Sequence, residues 1–333
     1  MQSRSDEKVN AVLRKPLANQ FFYLCRINFQ GMRSNTIKGY FFALLATLAF
    51  SNVYIFSKAA LNEVHLTQFG VYWFAIGTLF SLVFAIKNKK LAQLRMLSKR
   101  QVRILIALGI LEILTTTTFF ISINIIPDPS VTSFLGNMFP VMVTLGGVFI
   151  LKERFGLVEA IGVALALIGA FMISYTGGTT LKTLFISGTG VVFINAILAT
   201  SATLVVKVHV KRLSPELLSL NRTTWLLIYS LIMFFIYGQS FAIPVSALKN
   251  IAIGAILGPF LAIVAVYYSY THIEASRSAI VQSLKGIFVL IGAYLFFHTF
   301  PARHQFIGGM ITVAGVLLMT VAKAGFFMRS KQN

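Results

Sequence analysis

Residues 126–174 decide the fold, and they read IPDPSVTSFLGNMFPVMVTLGGVFILKERFGLVEAIGVALALIGAFMIS. Two apolar runs, roughly Ser130–Leu151 and Leu157–Tyr175, flank a short charged link at residues 152–154. Each run holds about 20 residues, which span ~30 Å as a helix, the thickness of the hydrocarbon core of a bilayer. This stretch therefore predicts two membrane-spanning helices joined by a tight charged turn.

A similar hairpin recurs 146 residues later, and two upstream positions match at an offset of 149. The matched pairs are Ser130 with Ser276, Gly146 with Gly292, Gly162 with Gly308, Gly169 with Gly315, Lys58 with Lys207, and Trp73 with Arg222. In lipid, small residues let helix backbones approach closely. The first hairpin carries such residues at Gly146, Gly147, Gly162, Ala166 and Gly169. We predict two similar halves, about 37–175 and 185–323.

The composition is that of a polytopic membrane protein. Apolar residues make up 57% of the chain and charged residues 11%, whereas a soluble domain has about 25% charged residues. A single cysteine, Cys25, excludes an internal disulfide and a cysteine-based metal cage. The N-terminus lacks the pattern of a cleavable signal peptide, so none is expected.

The net charge of +20 invites comparison with nucleic-acid-binding proteins, but its distribution follows membrane topology instead. With ten spans and a cytoplasmic N-terminus, 23 of the 29 lysines and arginines fall on the cytoplasmic side and 3 in outer loops. Such a bias is typical of cytoplasmic loops. We therefore predict cytoplasmic N- and C-termini in the cell inner membrane, and no nucleic-acid partner.

Ten apolar segments predict an all-α protein with five spans in each half. Five is odd, so the second half must be inserted upside down, as an inverted-topology repeat. Segment 1–36 is basic and predicted to be cytoplasmic, either lying on the membrane surface or dispensable; 176–184 is a linker and 324–333 a cytoplasmic tail. The predicted spans are about Ile37–Lys58, Gln68–Ile86, Val102–Ile123, Ser130–Leu151, Leu157–Tyr175, Phe185–Lys207, Leu217–Tyr237, Ile251–Tyr270, Ser276–Phe297 and Gln305–Ala322.

Several short motifs resemble the drug/metabolite transporter superfamily, EamA-type. They are Asn52-Val53-Tyr54 followed by Lys58, Pro140 followed by Leu151-Lys152-Glu153-Arg154, and Arg222 near the start of the seventh span. The resemblance covers about residues 37–323 and implies ten spans, a transport function and export as the direction. The chain departs from the family pattern at Trp73, Lys285 and His298.

Ionisable residues inside spans mark candidate functional positions, because each costs at least ~2.5–3.5 kcal/mol in the membrane. Lys285 lies 8 residues from Arg277, about 12 Å deep, and Glu112 lies 9 residues from Arg103, about 13 Å deep. We expect both to face a central cavity, either paired with each other or both contacting substrate. A structural ion pair, or two unrelated polar groups, is the alternative.

Other polar residues in the spans are weaker candidates. Ser278 and Gln282 share a helical face with Lys285, and this stripe is expected to face the bundle interior. Arg222 could contact substrate or snorkel to the headgroups, and Lys58 and Lys207 are expected to be anchors at span ends. The candidates for lining the path, or for interhelical hydrogen bonds, are Asn52, Asn137 and Asn195; those for flex points, or for static kinks, are Pro140 and Pro259.

The sequence lacks the motifs of enzymes and of metal sites. The five histidines lie in or next to loops without metal-ligand spacing, and there is no catalytic triad pattern or phosphate-binding glycine loop. We therefore expect no cofactor, no metal and no enzymatic activity. With nine acidic residues in total, an ATP-driven pump within this chain is excluded.

The leading hypothesis is a secondary transporter of a small organic metabolite. It would export its substrate across the inner membrane by alternating access around a midplane cavity. An amino acid or related anion is favoured because Lys285 could meet a carboxylate. Proton coupling is one option, and both a monomer and a homodimer remain open. The alternatives are a sugar-phosphate or nucleotide-sugar exchanger, and a non-transporting membrane subunit or receptor; an intramembrane enzyme ranks third.

Overall fold

The computed structural model describes residues 17–151, 156–176, 185–209 and 212–323. The charged link at 152–154, most of the linker and the C-terminal tail lie outside these ranges. The helices are α1 (Leu17–Leu61), α2 (Leu66–Lys87), α3 (Lys99–Ile125), α4 (Pro129–Leu135), α5 (Met138–Leu151), α6 (Leu157–Ser174), α7 (Thr189–His209), α8 (Pro215–Ile236), α9 (Val245–Ala255), α10 (Ile263–His272), α11 (Ala275–Ser283), α12 (Lys285–Phe297) and α13 (Arg303–Lys323).

The all-helical prediction is confirmed. A 3₁₀ turn at Leu91–Met96 joins α2 to α3, and a π-helical segment at Ile256–Ala262 joins α9 to α10. Across the described ranges, the one extended pairing is an isolated bridge between Tyr175 and Phe185. Helix α1 is continuous from Leu17, so the boundary expected near residue 36 falls inside one helix.

Eight stretches of the described chain are long and apolar enough to cross a membrane. They are Thr36–Leu61, Leu66–Lys87, Lys99–Ile125, Leu157–Ser174, Thr189–His209, Pro215–Ile236, Val245–His272 and Arg277–Phe297. The predicted fourth span, which is divided into α4 and α5, is not among them. The predicted tenth span corresponds to α13.

Local sequence explains where several helices begin. Ser98 caps α3 in a capping box with Gln101, whose side-chain oxygen accepts from the Ser98 N–H. Asp128 caps α4, with Pro129 in the first turn, where its missing N–H is harmless. Ser214 caps α8 in the same way, followed by Pro215.

Glycines bring α6 and α13 into close contact. A Cβ on Gly162 would lie 2.6 Å from the carbonyl oxygen of Gly315, and a Cβ on Gly315 would lie 2.6 Å from that of Gly162. Gly169 and Gly308 are opposed in the same way. Because Gly162 matches Gly308 and Gly169 matches Gly315 between halves, this interface joins equivalent surfaces of the two repeats.

Two helices break at matching places. Between α4 and α5, the N–H of Gly136 bonds to the carbonyl of Thr132 and the chain turns at Asn137. Between α11 and α12, the chain turns at Leu284. The separation of Asn137 and Leu284 is close to the offset of 146 residues between the halves. Each half therefore contains a helix break at an equivalent position.

The predicted flex points differ in their surroundings. Pro259 lies within the π-helical segment between α9 and α10. Pro140 was expected to free a backbone carbonyl, and this is wrong: the N–H of Phe139 donates to the carbonyl of Gly136 at 3.1 Å, and Pro140 sits in the first turn of α5. The break therefore precedes the proline, at Gly136 and Asn137.

Candidate functional site

A cavity of about 170 Å³ lies inside the helical bundle. Its walls come from both halves, with residues of α1, α2, α3 and α7, of α8 and α10, and of the broken helices. Nine of the lining side chains are aromatic: Phe50, Tyr54, Trp73, Phe74, Phe119, Phe120, Phe139, Tyr267 and Tyr270. Such walls, with a small number of polar groups among them, are typical of a site for a small organic molecule.

A buried ion pair occupies one wall of the cavity. Arg222 Nε donates to Glu112 Oε2 at 2.6 Å, and Arg222 Nη2 donates to Thr116 Oγ1 at 2.9 Å. Tyr267 donates its hydroxyl proton to Glu112 Oε1 at 3.3 Å. The Arg222 and Glu112 side chains are 13% and 9% exposed, so Arg222 does not snorkel to the headgroups. The two charges neutralise each other.

The proposed pairing of Glu112 with Lys285 is wrong, although both residues line the same cavity. Glu112 is engaged by Arg222, which approaches it from α8. Lys285 stands at the start of α12, directly after the break, with Nζ 5.7 Å from the centre of the Tyr54 ring. This is within the ~6 Å range of a cation–π contact.

Lys285 is therefore the uncompensated charge of the cavity. Within the described ranges, the side-chain ion pairs are Arg222 with Glu112 and Arg277 with Glu274, and neither involves Lys285. The net charge on the described cavity walls is thus +1, supplied by Lys285.

The polar stripe beside Lys285 points into the bundle. Ser278 is fully buried and accepts from Ser269 Oγ at 2.7 Å, while Gln282 Nε2 donates to Ser278 Oγ at 3.2 Å. Gln282 lines the cavity, and Ser278 lies behind it against α10. Ser278 thus orients Gln282 without forming part of the cavity wall.

The three asparagines have different surroundings. Asn52 is exposed on the outside of α1, where its Nδ2 donates to the Leu48 carbonyl at 2.9 Å, so the prediction that it lines the path is wrong. Asn195 lines the cavity and its Nδ2 donates to the Thr115 carbonyl at 2.6 Å. Asn137 is fully buried at the first helix break.

Asn137 has an unusual lack of partners. Neither Oδ1 nor Nδ2 has a hydrogen-bond partner among the described residues. A Cβ on Gly286, one residue beyond Lys285, would lie 3.7 Å from Nδ2. An unsatisfied buried polar group costs about 1–3 kcal/mol of stability. The Asn137 amide, which lies next to the second helix break, therefore destabilises the folded protein.

The family model of the EamA-like transporter family matches residues 37–175 and 186–321, one copy in each half. The chain belongs to the EamA-like transporter family. It is therefore a multi-pass membrane protein of the drug/metabolite transporter type, whose family acts on small molecules in a lipid environment. No curated protein matches the chain.

The fold of this EamA-like chain is similar to that of a solved structure named only "Crystal structure of protein". The two share 14% identity with a TM-score of 0.62, and the match covers 87% of this chain and 97% of the other. At this identity the likeness shows the fold alone. Among the described residues, no group of three His, Cys, Asp or Glu side chains could hold a metal ion.

Sequence reasoning missed the aromatic walls of this EamA-like site. Tyr267 and Tyr270, in α10, are both buried and line the cavity. Trp73 was noted only as a departure from the family pattern, yet it is buried against Gly254 and Gly258. A signal was present in α3, because its cavity residues recur at helical spacing, at Glu112, Thr116 and Phe120 and at Thr115 and Phe119.

Proposed function

We propose that the protein is a secondary transporter of a small organic solute that carries one carboxylate on a flat apolar body, such as an amino acid or a related carboxylic acid anion. The observation that carries this proposal is the unpaired Lys285 ammonium in an otherwise neutral cavity with aromatic walls. An ionisable residue inside a span is retained for function or paired with another charge. Lys285 has no carboxylate partner in the described part of the chain, so a substrate anion is the partner that it lacks.

The charge of the cavity supports a monoanion over a dianion. Arg222 is already neutralised by Glu112 at 2.6 Å, so it offers little attraction to a second negative charge. A sugar-phosphate or nucleotide-sugar exchanger would need a further free cation and ranks lower. The edge-to-face rings of Tyr54, Phe119 and Phe120 suit a flat apolar group.

Alternating access between two inverted five-helix repeats is the mechanism that we infer, with ten helices crossing the membrane. Three features support it: the reciprocal glycine contacts of α6 and α13, the matching breaks at Asn137 and Leu284, and the π-helical segment at Pro259 beside the cavity. Discontinuous helices at mid-depth are typical of transporter binding sites. The breaks and the π-helical segment are the points at which helices could bend.

We also propose that the protein lies in the inner membrane with cytoplasmic termini, which the charge bias of the loops supports. Export as the direction of transport rests on the family. Both a monomer and a homodimer fit it. Proton coupling would make flux depend on a pH gradient.

The test is flux from proteoliposomes loaded with a metabolite extract, with and without a pH gradient. We expect defined monoanions to leave only with the intact protein, and Lys285→Met to abolish their flux. Arg277→Gln is the matched control, because it also removes a positive charge from the same predicted span, but at a partly exposed ion pair with Glu274. If no solute from the extract or from a drug and sugar-phosphate panel moves with folded, oriented protein, the transporter proposal fails and a receptor or subunit role replaces it.

A further inference from the structure

A buried lysine holds the end of α3 at the face of the bundle where α1 ends. Lys58 is 8% exposed, and its Nζ donates to the carbonyls of Ile123 at 3.0 Å, Asn124 at 3.2 Å and Ile126 at 3.1 Å. These carbonyls are the unsatisfied acceptors of a helix C-terminus, and they immediately precede the turn into the broken helix α4.

A second lysine makes the matching contacts in the other half. Lys207, near the end of α7, donates from Nζ to the carbonyls of Tyr270, at 2.8 Å, and Ile273. These carbonyls end α10 and immediately precede α11, the first piece of the other broken helix. Lys58 matches Lys207 at an offset of 149 residues, and Ile126 matches Ile273 at 147, so the contact is repeated between halves.

The two lysine contacts lie at opposite ends of the bundle. A Cβ on Gly39, near the start of the α1 span, would lie 2.5 Å from Ile273 at the Lys207 contact. Lys58 is 19 residues further along the same helix, which at 1.5 Å per residue is about 28 Å. One contact therefore lies at each membrane face, with the cavity between them.

Span-end anchoring does not account for these contacts. A lysine that anchors a span extends its ammonium to the headgroups, whereas Lys58 is turned inward onto backbone carbonyls. Each lysine comes from the first span of its half and fixes the turn that leads to the helix break of that half. The break after α4 places Gly136 at the cavity, and the break after α11 places Lys285 there.

We propose that Lys58 and Lys207 are the two gate latches of the transporter, one at each membrane face. Both are closed in this structure. Release of Lys58 frees the turn between α3 and α4 and opens the cavity toward the outside. Release of Lys207 frees the turn between α10 and α11 and opens it toward the cytoplasm. The proposal rests on the alternating-access function proposed above, and it makes these lysines positioning residues that do not contact substrate.

The experiment measures access to the cavity from each side without any substrate. The native cysteine is removed with Cys25→Ser, and a reporter is placed on the cavity wall with Ala199→Cys. A membrane-impermeant maleimide is added to right-side-out and to inside-out vesicles holding this protein, with and without Lys58→Met or Lys207→Met. Lys249→Met is the matched control, because Lys249 is exposed near the start of α9.

We expect opposite shifts from the two latch variants. Lys58→Met should raise the ratio of outside to inside labelling rates about tenfold or more, the effect of losing a charge-assisted hydrogen bond. Lys207→Met should lower that ratio by a similar factor, and Lys249→Met should leave it unchanged. Two latch variants that shift the ratio in the same direction, or that leave it unchanged, overturn the proposal.

A role limited to capping helix ends would lower the melting temperature in both variants without opposite labelling. If a methionine variant does not fold, the labelling ratio is measured on Lys58→Arg and Lys207→Arg instead. The same opposite shifts are expected, because arginine keeps the positive charge but holds its donors at a different distance from the carbonyls. Labelling needs no substrate. A labelling result that overturns the latch proposal therefore leaves the transport function to be decided by the flux measurement alone.

Discussion

Breaking the ion pair between Glu112 and Arg222 should destabilise the protein far more than removing Lys285. Glu112→Gln leaves Arg222 buried, at 13% exposure, without a counter-charge. Removing one partner of a buried pair costs about 3–5 kcal/mol. Lys285→Met removes a cation that has no carboxylate partner in the described chain, so its cost should stay below about 1 kcal/mol.

Thermal unfolding in one detergent at neutral pH measures this difference. For a domain of 150–250 residues, 1 kcal/mol shifts the melting temperature by about 2–4 °C, and the shift is at the low end for this longer chain. Glu112→Gln should therefore lower the melting temperature by roughly 5–10 °C, and Lys285→Met by no more than about 2 °C. Trp73 and Trp225, both packed against glycines in the bundle, provide the fluorescence signal.

A double mutant isolates the pairing from the loss of side-chain volume. Combining Glu112→Gln with Arg222→Met removes both charges, so its cost should be well below the sum of the two single costs. Additive costs, or a Lys285→Met variant as unstable as Glu112→Gln, would refute the division of the cavity charges into one neutralised pair and one free cation.

Three further predictions concern packing and the helix breaks. Gly162→Ala should cost about 1–3 kcal/mol of stability, because its Cβ would lie 2.6 Å from a backbone oxygen that cannot move aside; Gly190→Ala, which meets nothing within 4 Å, is the control and should be neutral or stabilising. Asn137→Ala should leave the unfolding free energy unchanged or raise it by up to about 1–3 kcal/mol, because no partner in the described chain is lost and the cost of the unsatisfied amide is removed. The same variant should raise KM for the transported anion severalfold if the amide meets substrate during the cycle, and a large loss of stability with unchanged KM would contradict this. Tyr54→Leu should weaken the binding of aromatic anions more than that of aliphatic ones, measured by competition for flux, since it removes the ring that faces Lys285.

The helices themselves were predictable because each apolar segment must satisfy its own backbone in lipid. The second span was expected at Gln68–Ile86 and is found at Leu66–Lys87. The break at Asn137 was not predicted, because glycine and asparagine inside an apolar run do not distinguish a kink from a continuous helix. The fourth predicted span, divided into α4 and α5, and the tenth, which corresponds to α13, are both missing from the candidate spans, so the described part of the chain contains eight where the sequence predicted ten.

The ion-pair partner of Glu112 could not be predicted, because counting residues gives the depth of a side chain in the membrane but not the helix that it faces. Residue counts from the span ends placed Glu112 and Lys285 at matching depth, and both do line one cavity. The partner of Glu112 depends on how α3 packs against α8, and the two paired residues are 110 positions apart in sequence. Lys58 illustrates the same limit: it was expected to be an anchor, and its three acceptors lie 65 to 68 residues away.

Anion recognition by Lys285 is tested most directly by comparing a transported anion with its uncharged carboxamide. Affinity for both is measured by titration calorimetry on the wild-type protein and on Lys285→Met. The wild type should bind the anion about tenfold or more tightly than the carboxamide, the effect of one charge-assisted hydrogen bond, and Lys285→Met should bind the two about equally. A Lys285→Met variant that keeps the full preference for the anion would contradict the assignment of Lys285 as the substrate's charge partner.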